Sequence, residues 1–226
     1  MILQDPMTSL NPLYTVGNQV IETLRSCGRP KKTGFRTRAI DLLQKVKIGS
    51  AENQLGAYPH QMSGGMRQRV VGAIAIAGEP RVLIADEATT SLDATIQFQY
   101  LLLLKELQRD WGLSIIFITH DFGIVAMMCN RVAVMYAGKI VESADVRDLF
   151  DHPSHPYTEA LMKSVPNVDE DVDDLYSIDG QPPALDQLPK GCAFAPRCAY
   201  AFDRCFEEYP DQVEAGENHP VACWRV

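Results

Sequence analysis

An α/β layered fold is predicted by three features of this sequence. Three apolar runs of strand length, residues 81–86, 113–119 and 131–136, alternate with stretches of helical periodicity, the longest over 93–110. The runs are apolar nearly throughout, the pattern of parallel strands buried on both faces. The first two end on residues that carry chemistry, Asp86 with Glu87 and Thr119 with His120. In layered sheets ligands gather at the carboxyl ends of the strands, so these side chains are expected to share a site.

The remaining elements follow in chain order. Ala39, Ile40, Leu42, Leu43 and Val46 mark an amphipathic helix over 36–48, after a basic turn at 29–34. A second helix over 66–77 has an apolar face from Val70 to Ile76, enters through Ser63-Gly64-Gly65 and stops at Gly78-Glu79-Pro80. The third apolar run turns at Ala137-Gly138. His152-Pro153-Ser154-His155-Pro156 then leads to a short helix over 157–164, an acidic linker over 169–174 and a loop-rich tail holding four of the six cysteines.

With 226 residues, 46% of them hydrophobic, the chain can bury a core for one domain plus a small appendage, which excludes a disordered or fibrous protein. A net charge of −8 offers no basic footprint, so nucleic acid is not an expected partner. The charge is unevenly spread: from Pro166 onward there are 13 acidic and 4 basic residues, against 16 and 17 before it. The tail is a separate compositional unit. No apolar run is long enough to span a bilayer, and residues 1–6 have neither a basic n-region nor an apolar h-region. A cytosolic location is therefore expected, where thiols are reactive, buried or metal-bound more often than paired as disulfides.

Each motif alone has a bland explanation. Ser-Gly-Gly before a helix is usually a cap and turn, and a histidine after a strand is usually structural. Their ordered co-occurrence is not bland: Gln4-Asp5-Pro6, then Met62-Ser63-Gly64-Gly65-Met66-Arg67-Gln68-Arg69, then 83–87 with Ser91-Leu92-Asp93, then Thr119-His120-Asp121. Together they resemble the nucleotide-binding subunits of ABC transporters, over the whole chain. Gln4 resembles the Q-loop glutamine, Ser63 to Met66 the signature motif, 82–87 the Walker B strand with its catalytic glutamate, Ser91 to Asp93 the D-loop, and His120 the switch histidine. Residues 4–12, Met66-Arg67-Gln68-Arg69, and His152-Pro153 with His155-Pro156-Tyr157-Thr158 are similar to bacterial dipeptide, oligopeptide and nickel importers. The cysteine-bearing extension of those importers is similar to residues 166–226.

The resemblance implies an ABC-type nucleotide-binding domain over 1–165, with a P-loop NTPase core and a helical subdomain over about 7–75, followed by a small C-terminal extension over 166–226. It implies ATP and Mg²⁺ as cofactors. Asp86 would hold Mg²⁺ through water, because this small hard cation keeps most of its waters. Glu87 would act as general base, His120 would bond the γ-phosphate, and Gln4 would join the Mg²⁺ and water shell. Ser63, Gly64, Gly65 and Met66 open a helix whose free N–H groups and dipole suit an anion, the γ-phosphate held by a partner subunit, with Asp93 beside it. The implied partners are a second ABC ATPase subunit, like or unlike, transmembrane permease subunits and, indirectly, an extracellular solute-binding protein. The implied location is peripheral, on the cytoplasmic side of the inner membrane.

Two departures stand out. Ala88 follows the glutamate where the family usually has proline, which removes no chemical group. Nothing in the sequence fits G-x-x-x-x-G-K-[ST]; the only Gly-Lys pair, Gly138-Lys139, precedes Ile140 on a late strand. The expectation is a subunit lacking the N-terminal part that carries this Walker A loop, inactive as a fragment. The leading function is the ATPase subunit powering di- or oligopeptide import. The alternatives are an ATPase-inactive module lending its signature motif to a complete partner, and nickel import. A soluble ABC protein of translation or DNA repair is disfavoured, because neither a second cassette nor a long coiled coil is present.

Cys27 and Cys129 read as bystander thiols. Cys192, Cys198, Cys205 and Cys223, with 5, 6 and 17 residues between them, lie in a segment with few apolar residues that needs a staple. Their spacing has no C-x₂₋₄-C knuckle typical of zinc, whereas four spaced thiolates can surround a [4Fe-4S] cluster. Iron-sulfur leads, zinc is the alternative, and disulfides or free thiols stay open.

Overall fold

The structure is a computed structural model that describes residues 1–28, 34–165, 176–184 and 186–226. The acidic linker and most of the basic turn at 29–34 lie outside the described residues. The chain divides into two compact units, Met1–Asp121 and Phe122–Val226.

The first unit runs α1 (Pro6–Ser9), α2 (Val16–Ser26), α3 (Phe35–Lys45), α4 (Ala51–Gln54), α5 (Gly64–Ile76), β1 (Val82–Asp86), α6 (Ala94–Trp111) and β2 (Ser114–Ile118). Helix ends are set by side chains that satisfy free backbone N–H groups. Thr15, Ser63 and Asp93 accept from Asn18, Met66 and Ile96, and Gly112 closes α6 in the left-handed region at φ 61°. Helical spacing then aligns Val16, Val20 and Leu24 with Ala39, Leu42 and Leu43 and with Val70, Ala73 and Ile76, all buried. Each large side chain among them contributes roughly 1.5–3 kcal/mol by leaving water.

β1 and β2 pair in parallel, from Val82 with Ser114 to Asp86 with Ile118. Ile2 lies on the other side of β1: its N–H donates to the Ile84 carbonyl at 2.8 Å and its carbonyl accepts from Asp86 at 2.9 Å. The expected burial on both faces is not observed. Leu83 and Ala85 are buried, but Val82, Ile116 and Ile118 are 50%, 52% and 49% exposed. A strand hides both faces only where a layer covers each, and here one face stays open.

The second unit contains α7 (Phe122–Met128), β3 (Arg131–Tyr136), β4 (Lys139–Asp145), α8 (Val146–Asp151), α9 (Pro156–Lys163), α10 (Asp203–Glu207), β5 (Val213–Glu214) and β6 (Pro220–Val221). The third apolar run does not join the parallel sheet. It forms an antiparallel hairpin with β4, in a sheet ordered β3-β4-β6-β5. The cause is the connection: Ala137 and Gly138 both have positive φ, 48° and 80°, the two-residue turn that matches the twist of paired antiparallel strands.

Composition and packing divide the chain at different places. Phe194, from the tail, is buried in one core with Val134, Tyr136, Val141, Ala144 and Leu149. Its ring lies 5.3 Å from those of both Tyr136 and Tyr157. Beside this core Glu142 is fully buried, yet its carboxylate is satisfied: Ser154 and His155 donate backbone N–H groups at 2.7 and 3.1 Å, and His219 Nε2 lies 2.7 Å away. The proline-rich turn at 152–156 thus folds by aiming two N–H groups at one carboxylate. Removing one partner of a buried pair strands the other, so Glu142→Ala should destabilise this unit by about 3–5 kcal/mol. Hydrogen exchange on β4 would check this; protection unchanged within about 1 kcal/mol would leave the carboxylate without that role.

Candidate active site

The site is built where β1 ends. Glu87 follows the strand at φ 44°, a left-handed conformation that costs a non-glycine residue about 1–3 kcal/mol, and its N–H is held by the Ile118 carbonyl at 2.9 Å. This turn presents the carboxylate beyond the strand ends. Gln4 Nε2 donates to Oε2 at 2.6 Å, Thr90 Oγ1 donates to the same oxygen at 3.3 Å, and His120 Nδ1 lies 3.3 Å from Oε1. Three residues singled out in the sequence, 83 positions apart at the extremes of one bond, therefore meet on one carboxylate. The His120 side chain is 73% exposed and that of Glu87 28%, so solvent reaches the cluster. Asp86 is the last residue of β1, immediately before this turn.

The signature-like residues are arranged differently. Ser63 Oγ accepts from Met66 N–H at 3.3 Å and so begins α5. Gly65 is needed for packing: a Cβ there would sit 2.6 Å from Ile96 Cγ2 on α6. Gly64 faces open space, with nothing within 4 Å of such a Cβ, so a ligand can approach its backbone closely. Ser63 and Met66 are joined in this cap, and the carboxylate cluster forms without them. Asp93 Oδ1 accepts from Ile96 N–H at 3.0 Å, which makes it the cap of α6.

Two contributors were not singled out in the sequence. Thr90 touches Glu87 directly. Gln68 is fully buried and donates from Nε2 to the Ala88 carbonyl at 2.6 Å, tying α5 to the residue after Glu87. Its place in Met66-Arg67-Gln68-Arg69, with a polar side chain on the apolar face of the helix, was the available signal. Beside it Tyr100 is buried, which pushes its phenol far above the ordinary range.

In the second unit Cys192, Cys198, Cys205 and Cys223 line one cavity, together with His155 and Phe194. Gly191 permits this: a Cβ there would fall 2.2 Å from the Cys205 carbonyl oxygen, and Cys192 N–H bonds that oxygen at 2.8 Å. Burial raises the thiols of Cys192, Cys198 and Cys223, opposed by the nearby backbone N–H groups of Phe194 and Ala195, of Tyr200 and of Arg225 respectively. All six cysteines are free thiols, Cys27 exposed and Cys129 half-buried. Among the described residues no three His, Cys, Asp or Glu side chains are placed to share a single metal ion.

No helix among the described residues is long and apolar enough to cross a membrane. Residues 1–90 match the family description ABC transporter, and residues 141–205 match oligopeptide/dipeptide transporter, C-terminal region. The oligopeptide transport ATP-binding protein AppD of Bacillus subtilis is 49% identical over 224 residues, covering 99% of this chain and 68% of that protein. The dipeptide transport ATP-binding protein DppD of the same organism is 49% identical over 224 residues, covering 99% and 67%. Among solved structures, cbiO1 from Clostridium perfringens, part of the ABC transporter complex cbiONQ, aligns with a TM-score of 0.58 and 30% identity over 67% of this chain and 58% of that one. A dimeric post-hydrolysis structure of the ATP-binding cassette MJ0796 bound to ADP and Pi aligns at 0.55 and 28% identity, over 64% and 62%. The strand-end carboxylates, the capped glycine pair and these likenesses agree: the chain belongs to the ATP-binding proteins of the oligopeptide/dipeptide ABC transporter family, with the ABC ATPase nucleotide-binding fold.

Proposed function

We propose that this protein couples ATP hydrolysis to the import of di- or oligopeptides, as a peripheral subunit on the cytoplasmic face of transmembrane permeases, paired with a second ATPase subunit. The observation that carries the reading is the convergence of Gln4, Thr90 and His120 on the Glu87 carboxylate beside Asp86. The assignment of 1–165 to the ATPase domain and of 166–226 to a C-terminal extension follows the family pattern.

The donor set at the strand end suits a hydrated Mg²⁺, with Asp86, the last residue of β1, and Gln4, bonded to Glu87, as the side chains that would hold it through water. Bound Mg²⁺ supplies neutralisation of charge on the nucleotide phosphates. Glu87 takes the proton of the attacking water, oriented by the Gln4 and Thr90 donors on one oxygen and by His120 near the other. Because Ser63, Gly64, Gly65 and Met66 stand outside this cluster, their anion site serves nucleotide held by the partner subunit, with Asp93 fixing α6 against it.

Contact with the permease is assigned to the segment between Gln4 and α5. Leu13 and Tyr14 are 81% and 54% exposed, while Leu10, Val16, Val20 and Leu24 are core. Tyr14 also lines an open groove with Asn18, Ile21, Glu22 and Ile74. Leu13→Glu and Tyr14→Asp should abolish transport while ATP binding stays within about twofold, since surface substitutions shift stability by less than about 0.5 kcal/mol. Peptide uptake and nucleotide binding measured on the same variants check this; normal uptake removes the segment from the interface.

The extension's four cysteines suit a [4Fe-4S] cluster. What supports this reading is their shared cavity, with backbone N–H groups that favour the thiolates of three of them; zinc is the alternative. A strain deleted for the gene tests the main reading: peptide uptake should be lost, and restored by the wild-type gene but not by Glu87→Gln. Loss of nickel uptake with peptide uptake intact would replace peptide by nickel as the solute.

A further inference from the structure

Among the apolar residues that α5 buries, Val70, Val71, Ala73 and Ile76, stands one fully buried carboxamide, that of Gln68. Such a group must match two donor protons and an acceptor oxygen inside the protein, which an apolar side chain of the same size need not do. One end is matched. Nε2 donates to the Ala88 carbonyl at 2.6 Å, and because a carbonyl only accepts, this bond fixes which end of the carboxamide faces Ala88. Among the described residues the other end, Oε1, is buried without a hydrogen-bond partner, and so is the hydroxyl of Tyr100 on α6. The two side chains are neighbours. Burial pushes the Tyr100 phenol far above its ordinary range, opposed first by the Gln68 side chain and then by the charge of Arg69. A Cβ on Gly72, one turn along α5 from Gln68, would sit 3.0 Å from the Tyr100 hydroxyl oxygen. A protonated hydroxyl donor thus lies beside an open amide acceptor.

The carbonyl that Gln68 holds belongs to a strained turn. Glu87 stands at φ 44°, and a non-glycine residue keeps such a conformation only where its surroundings over-determine it. The Ile118 carbonyl accepts the Glu87 N–H at 2.9 Å, and the Thr90 N–H donates to the Glu87 carbonyl at 3.2 Å. Those two bonds are backbone to backbone. The third, on the next carbonyl along, comes from a side chain and ties the turn to the helix that Ser63 begins.

We propose that Gln68 is a positioning residue for hydrolysis: its Nε2–H on the Ala88 carbonyl, with the Tyr100 hydroxyl keeping the carboxamide in that orientation, holds the turn that aims the Glu87 carboxylate. The inference rests on Glu87 acting as the general base. Gln68 is fully buried, so it acts through the turn and not on the attacking water. A displacement of about 1 Å in a reacting group can cost about 10²-fold in rate. Loss of the tether should therefore fall on kcat and spare nucleotide binding.

The test measures ATP turnover by the reconstituted transporter carrying wild-type, Gln68→Met or Tyr100→Phe subunits, each alone and combined with Glu87→Gln. Methionine is close to glutamine in length but cannot donate, and phenylalanine removes only the hydroxyl. Gln68→Met should lower kcat by about ten- to a hundredfold with the KM for ATP within about twofold, and Tyr100→Phe should lower kcat by a smaller factor. In single turnovers of Glu87→Gln protein neither substitution should lower the residual rate by more than about twofold, because a residue acting through another has nothing left to act on. A kcat within about twofold of wild type in Gln68→Met overturns the proposal. A loss of equal factor with and without Glu87→Gln, or one matched by an equal rise in KM, assigns Gln68 to packing and overturns it too. If Gln68→Met fails to assemble, Tyr100→Phe decides: a lowered kcat that disappears in the Glu87→Gln background supports the proposal, and an unchanged kcat overturns it. Turnover that is insensitive to Glu87→Gln overturns the reading of Glu87 itself, and the inference with it.

Discussion

Glu87→Gln in the assembled transporter should lower ATP turnover by about 10²–10⁴-fold, the usual contribution of a positioned general base, while bound ATP is retained. Glutamine fills the same space and can still accept from Gln4 and Thr90, but it cannot take the proton of the attacking water. The loss should therefore fall on turnover and spare nucleotide binding. His120→Ala should also stop turnover, because His120 is the group facing the second carboxylate oxygen. Phosphate release and retained nucleotide, measured on one preparation, separate the two effects. Unchanged steady-state hydrolysis in either variant removes that residue from the role assigned to it.

If the four cysteines hold the cluster proposed above, Cys205→Ser should strip iron and sulfide from the protein and open the tail to protease. A bound group stabilises what it holds according to its occupancy, about 4 kcal/mol where it is present at about a thousand times its dissociation constant. The opened fraction of the tail should rise by about three orders of magnitude accordingly. The damage is expected to stay local, since none of the four cysteines belongs to the unit that carries Glu87. Phe194 and its aromatic neighbours will hold part of the second core without the cluster. Limited proteolysis with iron analysis reads the result. Wild-type resistance after loss of all iron would show that side-chain packing alone holds the tail.

Much of the first unit was legible because its signals are local. Ser63 and Asp93 announce helix starts, and the alternation of β1, α6 and β2 follows from apolar periods that need no distant partner. The strand-end rule finds Asp86, Glu87 and His120. It cannot find Gln4, which reaches Glu87 because Ile2 pairs beside β1, a contact specified by neither segment alone. Gln4 was legible only through the likeness to a family.

The second unit was harder for the same physical reason. The turn at Ala137-Gly138 was legible, but Ala137 adopts positive φ without being glycine, so its identity does not announce the two-residue hairpin that takes β3 out of the parallel sheet. β5 and β6 are two residues each, too short to show alternation. Glu142 reads as a surface residue of a strand, and only the fold brings Ser154, His155 and His219 around it, His219 from 77 positions away. The cysteines were visible as a set, but their common cavity depends on Gly191 admitting the Cys205 backbone.

The central claim is that Glu87 and its neighbours drive peptide import, and hydrolysis in proteoliposomes tests it most directly. The transporter would be reconstituted with its permeases, its second ATPase subunit and its solute-binding protein, and phosphate release followed with and without peptide. Peptide-loaded binding protein should stimulate hydrolysis several-fold, and Glu87→Gln should remove both the basal and the stimulated rate. Hydrolysis that ignores peptide, or that persists in Glu87→Gln, would contradict the account.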